Sequence, residues 1–333
     1  MRRVTQRIIG VLLLAVMGCT LLVFFFLNYP SKISRTSQKW GVTFTPGQAV
    51  SLGLDWRETY KALLDDLGIR YVRLVAYWNI IEKKQGEYFF DELDEQMNEL
   101  AARGGSAILA IGRKLPRWPE CHEPEWFAGL SKKERDAKLQ QYLGAVVQRY
   151  AAHPALGSWQ VENEVTFPFG ECPSKDISNL ASLKKEVEYV KKIDSKHAII
   201  LTDSGEWSSW ARLAPLADIV GSSLYRGAWN DHLGYIAFPI GPGWYQVRAD
   251  YIRTQKKDVI ITELQAEPWG KKAIQEMTVE EGLETLPLKK IKEHIDFARQ
   301  VGFTHVYLWG GEWWYWLKKQ GNDSVWNELR GIY

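Results

Sequence analysis

Two glutamates flank an asparagine where an apolar run gives way to polar sequence, in the segment SWQVENEVTF. Buried carboxylates must be paired or solvated, so Glu162, Asn163 and Glu164 belong either to loop surface or to a functional site. Another acid, Glu263, ends a second apolar run, VIITE. Two carboxyl groups in one cleft can cleave a glycosidic bond, because one protonates the leaving oxygen while the other attacks the sugar or activates water.

Neighbouring acids leave the choice of residues open. In an extended strand Glu162 and Glu164 point to the same side, so spacing alone does not decide between them. Glu267 competes with Glu263 in the same way, although its segment, AEPW, is more typical of loop surface.

The chain around these acids alternates between short apolar runs and amphipathic helical patterns. Eight strands are predicted, in the segments KWGVTFTP, YVRLVAYW, SAILAIG, GSWQVENE, AIILTD, DIVGSSLY, DVIITE and HVYLW. The helices between them have recognisable ends, such as the stop at Gly68, and PLKKIKEHIDFARQVG repeats apolar residues at helical spacing. This alternation predicts an α/β fold, the (β/α)8 TIM barrel, over residues 39–333. A doubly wound sheet is disfavoured because TFTPGQAVSLG is not a glycine-rich phosphate turn.

Function in such a barrel lies at the carboxyl ends of the strands. The residues predicted at that rim are mainly acids and aromatic rings: Arg73, Trp78, Arg113, Trp118, Asn163, Glu164, Asp203, Glu206, Tyr225, Glu263, Trp309 and Glu312. The fourth and seventh strands carry Glu164 and Glu263, whose side chains can converge across the barrel mouth. The six histidines lack a paired metal-ligand spacing, and neither a metal nor a cofactor is predicted.

Three segments together resemble glycoside hydrolase clan A, the retaining barrel glycosidases: SWQVENE, VIITELQAEPW and GIRYVRLVAYWNIIEKKQGEYFFDELD. The resemblance covers most of residues 40–312 and implies hydrolysis of β-linked glycosides by a cellulase-like or β-galactosidase-like enzyme. It makes Glu164 the acid/base and Glu263 the nucleophile. It also implies a substrate site in which Asn163 binds the 2-hydroxyl, Arg73 and Tyr225 contact the nucleophile, and Trp309 and Trp78 contact the sugar. The segment SSLYR departs from the His-x-Tyr that cellulase-like members often carry.

The composition disfavours a nucleic-acid partner. Lysine and arginine total 42 against 40 for aspartate and glutamate, so no strong field attracts a polyanion. The 16 tryptophans, 15 tyrosines and 12 phenylalanines predict either a large aromatic core or a cleft whose rings stack on sugars.

The N-terminus is predicted to anchor the chain in a membrane. Residues 8–28 form an apolar stretch of spanning length, after a short basic segment of residues 1–7 and before a linker of residues 29–38. The catalytic domain, residues 39–333, is then expected to be extracytoplasmic. Basic residues flank the stretch on both sides, so the positive-inside rule nearly ties.

Cys121 and Cys172 both lie beside prolines in loop-like segments. An extracytoplasmic domain favours a disulfide between them, with two free thiols as the alternative.

Two other functions use the same residues. A degenerate barrel could bind carbohydrate without cleaving it, because fold does not determine function. A transglycosylase would let a second sugar, rather than water, intercept the glycosyl-enzyme.

Overall fold

Eight parallel strands form a closed barrel in the computed structural model of this chain, which describes residues 2–29, 37–174 and 179–333. The barrel closes where the first strand pairs with both the second and the last. The predicted (β/α)8 architecture is therefore confirmed.

The strands are β1 (Lys39–Thr43), β2 (Tyr71–Val75), β3 (Ser106–Ile111), β4 (Leu156–Val161), β5 (Ala198–Asp203), β6 (Ile219–Leu224), β7 (Gly227–Asn230), β8 (Gly234–Ala237), β9 (Asp258–Gln265) and β10 (His305–Trp309). The α-helices are α1 (Arg2–Asn28), α2 (Pro46–Ser51), α3 (Trp56–Asp65), α4 (Trp78–Ile81), α5 (Asp91–Ala102), α6 (Lys132–Tyr150), α7 (Leu180–Ile193), α8 (Pro242–Thr254), α9 (Val279–Thr285), α10 (Leu288–Val301), α11 (Gly311–Lys319) and α12 (Ser324–Arg330). Two 3₁₀ helices span Glu125–Gly129 and Ile274–Glu276.

Local sequence explains where several helices begin. The Asp55 carboxylate accepts from the Arg57 and Glu58 amides at the start of α3. Ser131 and Glu134 form a reciprocal capping box at the start of α6. Because these caps satisfy amides that have no partner within the helix, they fix where each helix leaves the barrel rim.

Most of the aromatic side chains build the core between barrel and helices. Six tryptophans are fully buried: Trp78, Trp159, Trp210, Trp313, Trp314 and Trp326. Two of them, Trp313 and Trp314, belong to the GGEWWYW segment and pack in the core instead of facing a cleft. The aromatic composition therefore reflects the core first, and only a minority of rings reaches the barrel mouth.

The barrel interior is filled at one level by Ile108, Ile200, Ile260 and Tyr307. Gly41 on β1 leaves the space that the Tyr307 ring occupies. A Cβ atom at Gly41 would lie 2.5 Å from the Tyr71 carbonyl oxygen and 2.7 Å from the ring. Only glycine is compatible with this packing.

Two features outside the barrel shape its mouth. The antiparallel hairpin β7–β8 follows β6 and was not predicted. Its turn is held by the Asn230 side chain, which accepts from the His232 and Leu233 amides. A disulfide between Cys121 and Cys172 joins the loop after β3 to the loop after β4.

The predicted N-terminal anchor over residues 8–28 is not supported. Helix α1 covers this stretch, but the side chains of residues 1–8 and 26 lie outside the described set. Among the described residues no helix is long and apolar enough to cross a membrane. Most of the predicted linker, residues 30–36, also lies outside the described residues.

Replacement of Gly41 by alanine is expected to lower the free energy of unfolding by about 1–3 kcal/mol, because the added methyl group overpacks the barrel interior. Urea unfolding followed by circular dichroism measures the change. The matched control is Gly47→Ala in α2, where a Cβ atom meets nothing within 4 Å. A Gly41→Ala protein as stable as the control would contradict the packing argument.

Candidate active site

A buried arginine organises the carboxyl end of the barrel. Arg73 on β2 is fully buried, and each nitrogen of its guanidinium has a different partner. Nη1 donates to Glu263 Oε1 at 2.6 Å, Nη2 to Asn163 Oδ1 at 2.8 Å, and Nε to Gln160 Oε1 at 2.7 Å. One cation therefore fixes side chains from β9, from β4 and from the loop after β4.

Glu263 near the end of β9 has a second partner on its other oxygen. The Tyr225 hydroxyl donates to Glu263 Oε2 at 3.1 Å. Tyr225 is held in turn by Glu206, which accepts from the Tyr225 amide at 2.9 Å. With an ion pair on Oε1 and a hydroxyl on Oε2, both oxygens of the Glu263 carboxylate are held by a donor from another strand or loop.

Glu164 has a contrasting environment. Burial raises the pKa of its carboxyl well above the usual range, and the negative charges of Glu263 and Glu120 raise it further. The described residues place no cation in ion-pair contact with Glu164. Its backbone is held in a left-handed conformation with φ 45°, and its amide donates to the Thr202 hydroxyl at 3.0 Å. The two carboxyl groups therefore lie in contrasting environments: Glu263 has a cation and a hydroxyl as partners, whereas burial and neighbouring acids raise the pKa of Glu164.

Glu162 is excluded from the cleft by its backbone. Strand β4 ends at Val161, and Glu162 adopts φ 59°, so the alternation that would align it with Glu164 is broken. Its carboxylate is fully buried and accepts from the amides of Arg113 and Lys114 at 2.8 and 2.6 Å. Of the two acids that spacing left as alternatives, Glu164 lines the cleft, whereas Glu162 supports the loop after β3.

Contrary to the prediction, Glu267 does not lie on a loop surface. It is buried, lines the cleft and forms an ion pair with Arg117. Arg117 also donates to Glu312 at 3.1 Å, and its guanidinium lies 4.1 Å from the centre of the Trp309 ring. The Trp309 indole donates to Glu267 Oε1 at 2.7 Å. This group of side chains fixes the orientation of Trp309 at the cleft wall.

Glu120 is the main residue that sequence analysis missed. It lies in the loop after β3 and accepts from Asn163 Nδ2 at 3.2 Å. Burial and the charge of Glu263 raise its pKa to about 8. The acid in PECHEP was visible, but nothing in the sequence indicates that this loop folds back onto Asn163.

The cleft has a volume of about 870 Å³. It is lined by the predicted residues Asn163, Glu164, Tyr225, Glu263 and Trp309, whereas Arg73 lies beneath its floor. Exposed rings also line it, namely Trp118, Trp207 and Trp269.

Trp78 does not reach the cleft, contrary to its predicted contact with the sugar. Its ring is fully buried and stacks on Tyr142 with centroids 4.9 Å apart. Its indole donates to Glu82 at 2.6 Å. The strand ends before Trp78, which is turned into the core at the start of α4.

In the part of the chain that the structure describes, no group of three or more His, Cys, Asp or Glu side chains could hold a metal ion. The described acids at the cleft pair with arginines, amides or hydroxyls instead.

Comparison with known proteins places these residues in a recognised context. Residues 50–180 match the family model described as beta-galactosidase, that of glycoside hydrolase family 42. The beta-galactosidase BgaA of Clostridium cellulovorans is 24% identical over 173 residues, 46% of this chain and 26% of that protein. The mannan endo-1,4-beta-mannosidase A of Podospora anserina is 25% identical over 149 residues, 41% of this chain and 38% of that protein. The chain thus matches well under half the length of either relative.

A solved structure extends the likeness to the fold. A psychrophilic glycoside hydrolase family 10 endo-beta-1,4-xylanase superposes with a TM-score of 0.53 at 17% identity, covering 82% of this chain and 85% of that one. These similarities confirm the resemblance to glycoside hydrolase clan A.

The raised pKa of Glu120 predicts a pH-dependent stability. Its pKa is about 8 in the folded protein against 4.5 for an ordinary glutamate, so the folded state holds an extra proton between these values. Stability from this group is present at low pH and is lost as the pH rises towards 8. The free energy of unfolding of the unaltered protein is therefore expected to fall between about pH 5.5 and 7.5. Glu120→Gln, which mimics the protonated acid, should reduce that fall by about 2 kcal/mol.

Urea unfolding at the two pH values measures this difference. Glu171→Gln is the control, because it removes an exposed carboxyl from the loop bonded to Cys121 and should behave as the unaltered protein does. Identical pH dependence in all three proteins would show that Glu120 ionises normally.

Proposed function

We propose that this protein is a retaining glycoside hydrolase that cleaves β-linked glycosides through a glycosyl-enzyme. The observation that carries the proposal is the contrast between two acids in one cleft. Glu263 has a cation and a hydroxyl as partners, whereas the pKa of Glu164 is raised by burial and by Glu263 itself. One ionised and one protonated carboxyl are what double displacement needs.

In the first step Glu263 attacks the anomeric carbon. A bond forms between its carboxylate oxygen and that carbon as the bond to the leaving oxygen breaks, and Glu164 gives its proton to the leaving oxygen. Tyr225 and Arg73 hold the two oxygens of Glu263 in place, so little reorganisation is needed at the moment of attack.

In the second step water releases the sugar. Glu164, now ionised, takes a proton from the water, whose oxygen bonds to the anomeric carbon while the bond to Glu263 breaks. Two inversions leave the anomeric configuration unchanged. Loss of the charge on Glu263 in the glycosyl-enzyme lowers the pKa of Glu164, because the two groups interact, and so suits it to act as a base.

The substrate class follows from the relatives and the cleft. The names of the matched proteins refer to β-galactosides and to β-1,4-mannan. Exposed rings of Trp118, Trp207 and Trp269 offer flat surfaces on which pyranose rings stack. We therefore place β-galactosides and β-mannans first in a substrate panel.

The proposal includes an extracytoplasmic location for the barrel. The Cys121–Cys172 disulfide supports it, because such bonds persist in oxidising compartments.

The roles of the two acids are separable by rescue. Glu263→Ala is expected to abolish turnover of aryl β-glycosides. Glu164→Ala is expected to slow substrates with poor leaving groups by about 10²–10⁴-fold and to spare activated aryl glycosides in the first step. Added azide should restore Glu164→Ala with a β-glycosyl azide as product, whereas any azide product of Glu263→Ala should be the α-anomer.

Proton NMR of the products identifies the anomers, and Glu171→Gln serves as the control for an acid outside the cleft. Near-normal turnover in either alanine variant would refute the mechanism. Sugar binding without turnover by the unaltered protein would favour a carbohydrate-binding function, and transfer to sugar acceptors in preference to water would favour a transglycosylase.

The raised pKa of Glu164 also predicts the alkaline limb of the pH profile. Because the acid must be protonated in the first step, kcat/KM is expected to be retained well above the ordinary glutamate pKa and to fall as the pH rises through the raised value. Glu164→Ala with an activated aryl glycoside should lose this limb. Persistence of the same limb in the variant would assign it to another group.

A further inference from the structure

A third carboxyl group, that of Glu120, stands in the cleft and has no part in the double displacement. It lines the same cavity as Glu164 and Glu263 and is 9% exposed. Within the described part of the chain, no lysine or arginine lies within ion-pair distance of it, and its side chain has one hydrogen bond, from Asn163. A buried carboxyl without a cation is costly to maintain, which indicates a use for it.

The loop around Glu120 is built to hold this side chain in place. Glu120 has φ 73°, a conformation that costs energy for a residue other than glycine. Its amide donates to the Arg117 carbonyl at 2.8 Å, and its carbonyl accepts from the Leu115 amide at 2.7 Å. The strain is therefore maintained by bonds on both sides of the residue.

A second loop clamps the first one. The Cys121–Cys172 disulfide joins the two loops, and the Glu171 amide donates to the Pro119 carbonyl at 2.9 Å. Gly170 lies so close that a Cβ atom there would be 2.5 Å from the Glu120 Cβ atom. The position of the Glu120 carboxyl is thus determined by tertiary contacts on three sides.

The orientation of the Asn163 amide is equally determined. Its Oδ1 accepts from Arg73 Nη2 at 2.8 Å, from Thr202 Oγ1 at 3.0 Å and from Gln160 Nε2 at 3.2 Å. Three donors around one oxygen leave Nδ2 as the group that faces Glu120. The cleft therefore presents a donor, Asn163 Nδ2, beside an acceptor, the Glu120 carboxyl.

Such a pair matches a hydroxyl group, which accepts one hydrogen bond and donates another. The position of this hydroxyl on the sugar ring follows from the proposed function, on which this inference rests. Glu263 attacks the anomeric carbon, and Asn163 shares the Arg73 guanidinium with Glu263. The donor–acceptor pair then faces a ring position next to the anomeric carbon. The two ring atoms bonded to the anomeric carbon are C2 and the ring oxygen, and only C2 carries a hydroxyl.

We propose that Glu120 is a substrate-binding residue that accepts a hydrogen bond from the hydroxyl at C2 of the sugar being cleaved, and so determines specificity at that position. An ammonium group at C2 would also donate to Glu120 but would leave Asn163 Nδ2 without an acceptor. The geometry therefore favours a neutral sugar over a 2-amino sugar.

The test compares three aryl β-glycosides of one parent sugar that differ at C2 in carrying a hydroxyl, an amino group or hydrogen. The parent sugar is the one that the full-length protein hydrolyses best. We expect the unaltered protein to prefer the 2-hydroxy over the 2-deoxy substrate by at least about 100-fold in kcat/KM, because a site built for a hydroxyl rejects its absence. Glu120→Ala should reduce that preference at least about tenfold.

Two further variants make the result interpretable. Glu120→Gln keeps the shape of the side chain but replaces one of its two oxygens by an NH2 group, so it tests the acceptor oxygen should the alanine variant fail to fold. Glu171→Ala alters an exposed carboxyl of the clamping loop and should affect the 2-hydroxy and 2-deoxy substrates equally.

The outcomes separate this inference from the proposed function. Equal losses of kcat/KM on the 2-hydroxy and 2-deoxy substrates in Glu120→Ala would show a merely structural role and overturn the inference. A preference of the unaltered protein for the 2-amino substrate, lost in Glu120→Gln, would overturn the assignment of a hydroxyl. Failure of the unaltered protein on all three substrates, over the whole panel, would instead count against the proposed function.

Discussion

The active site depends on the burial of one guanidinium, that of Arg73. Removing a charge from water costs desolvation free energy, and this cost is offset only when every donor has a partner of good geometry. Arg73 achieves this with a carboxylate, an amide oxygen from Asn163 and another from Gln160, all between 2.6 and 2.8 Å. Because these partners come from different sides of the barrel, one ion positions Glu263, Asn163 and Gln160 relative to one another.

The carboxyl groups around Arg73 differ in their electrostatic environment. Glu263 is paired with Arg73, whereas the pKa of Glu164 and that of Glu120 are raised by burial and by the charge of Glu263. The charge of Glu263 thus adds to burial in raising the pKa of both neighbours, so a change in that charge affects both. On the other wall Glu267 forms a separate ion pair with Arg117 and contributes to the orientation of Trp309.

Residues with positive φ mark the places where the barrel rim is shaped for function. They include Glu162 and Glu164 after β4 and Arg117 and Glu120 in the loop after β3. Each departs from the conformation that its neighbours in sequence would favour, and each is held by hydrogen bonds to other strands or loops.

The order of eight strands, the ends of several helices and the presence of acids at the fourth and seventh barrel strands could be read from the sequence, because hydrophobic periodicity and caps are local. The motifs VENE and ITE also pointed to the two acids.

The sequence did not determine that Glu164 and not Glu162 lines the cleft, since this depends on where β4 ends and on amides donated by the loop after β3. The burial of Trp78, the ion pair of Glu267 and the entry of Glu120 into the cleft likewise arise from contacts between segments distant in sequence. Sequence alone thus determined the scaffold and the kind of chemistry, whereas tertiary structure decided which side chains face the cleft, because backbone turns and long-range partners set that direction.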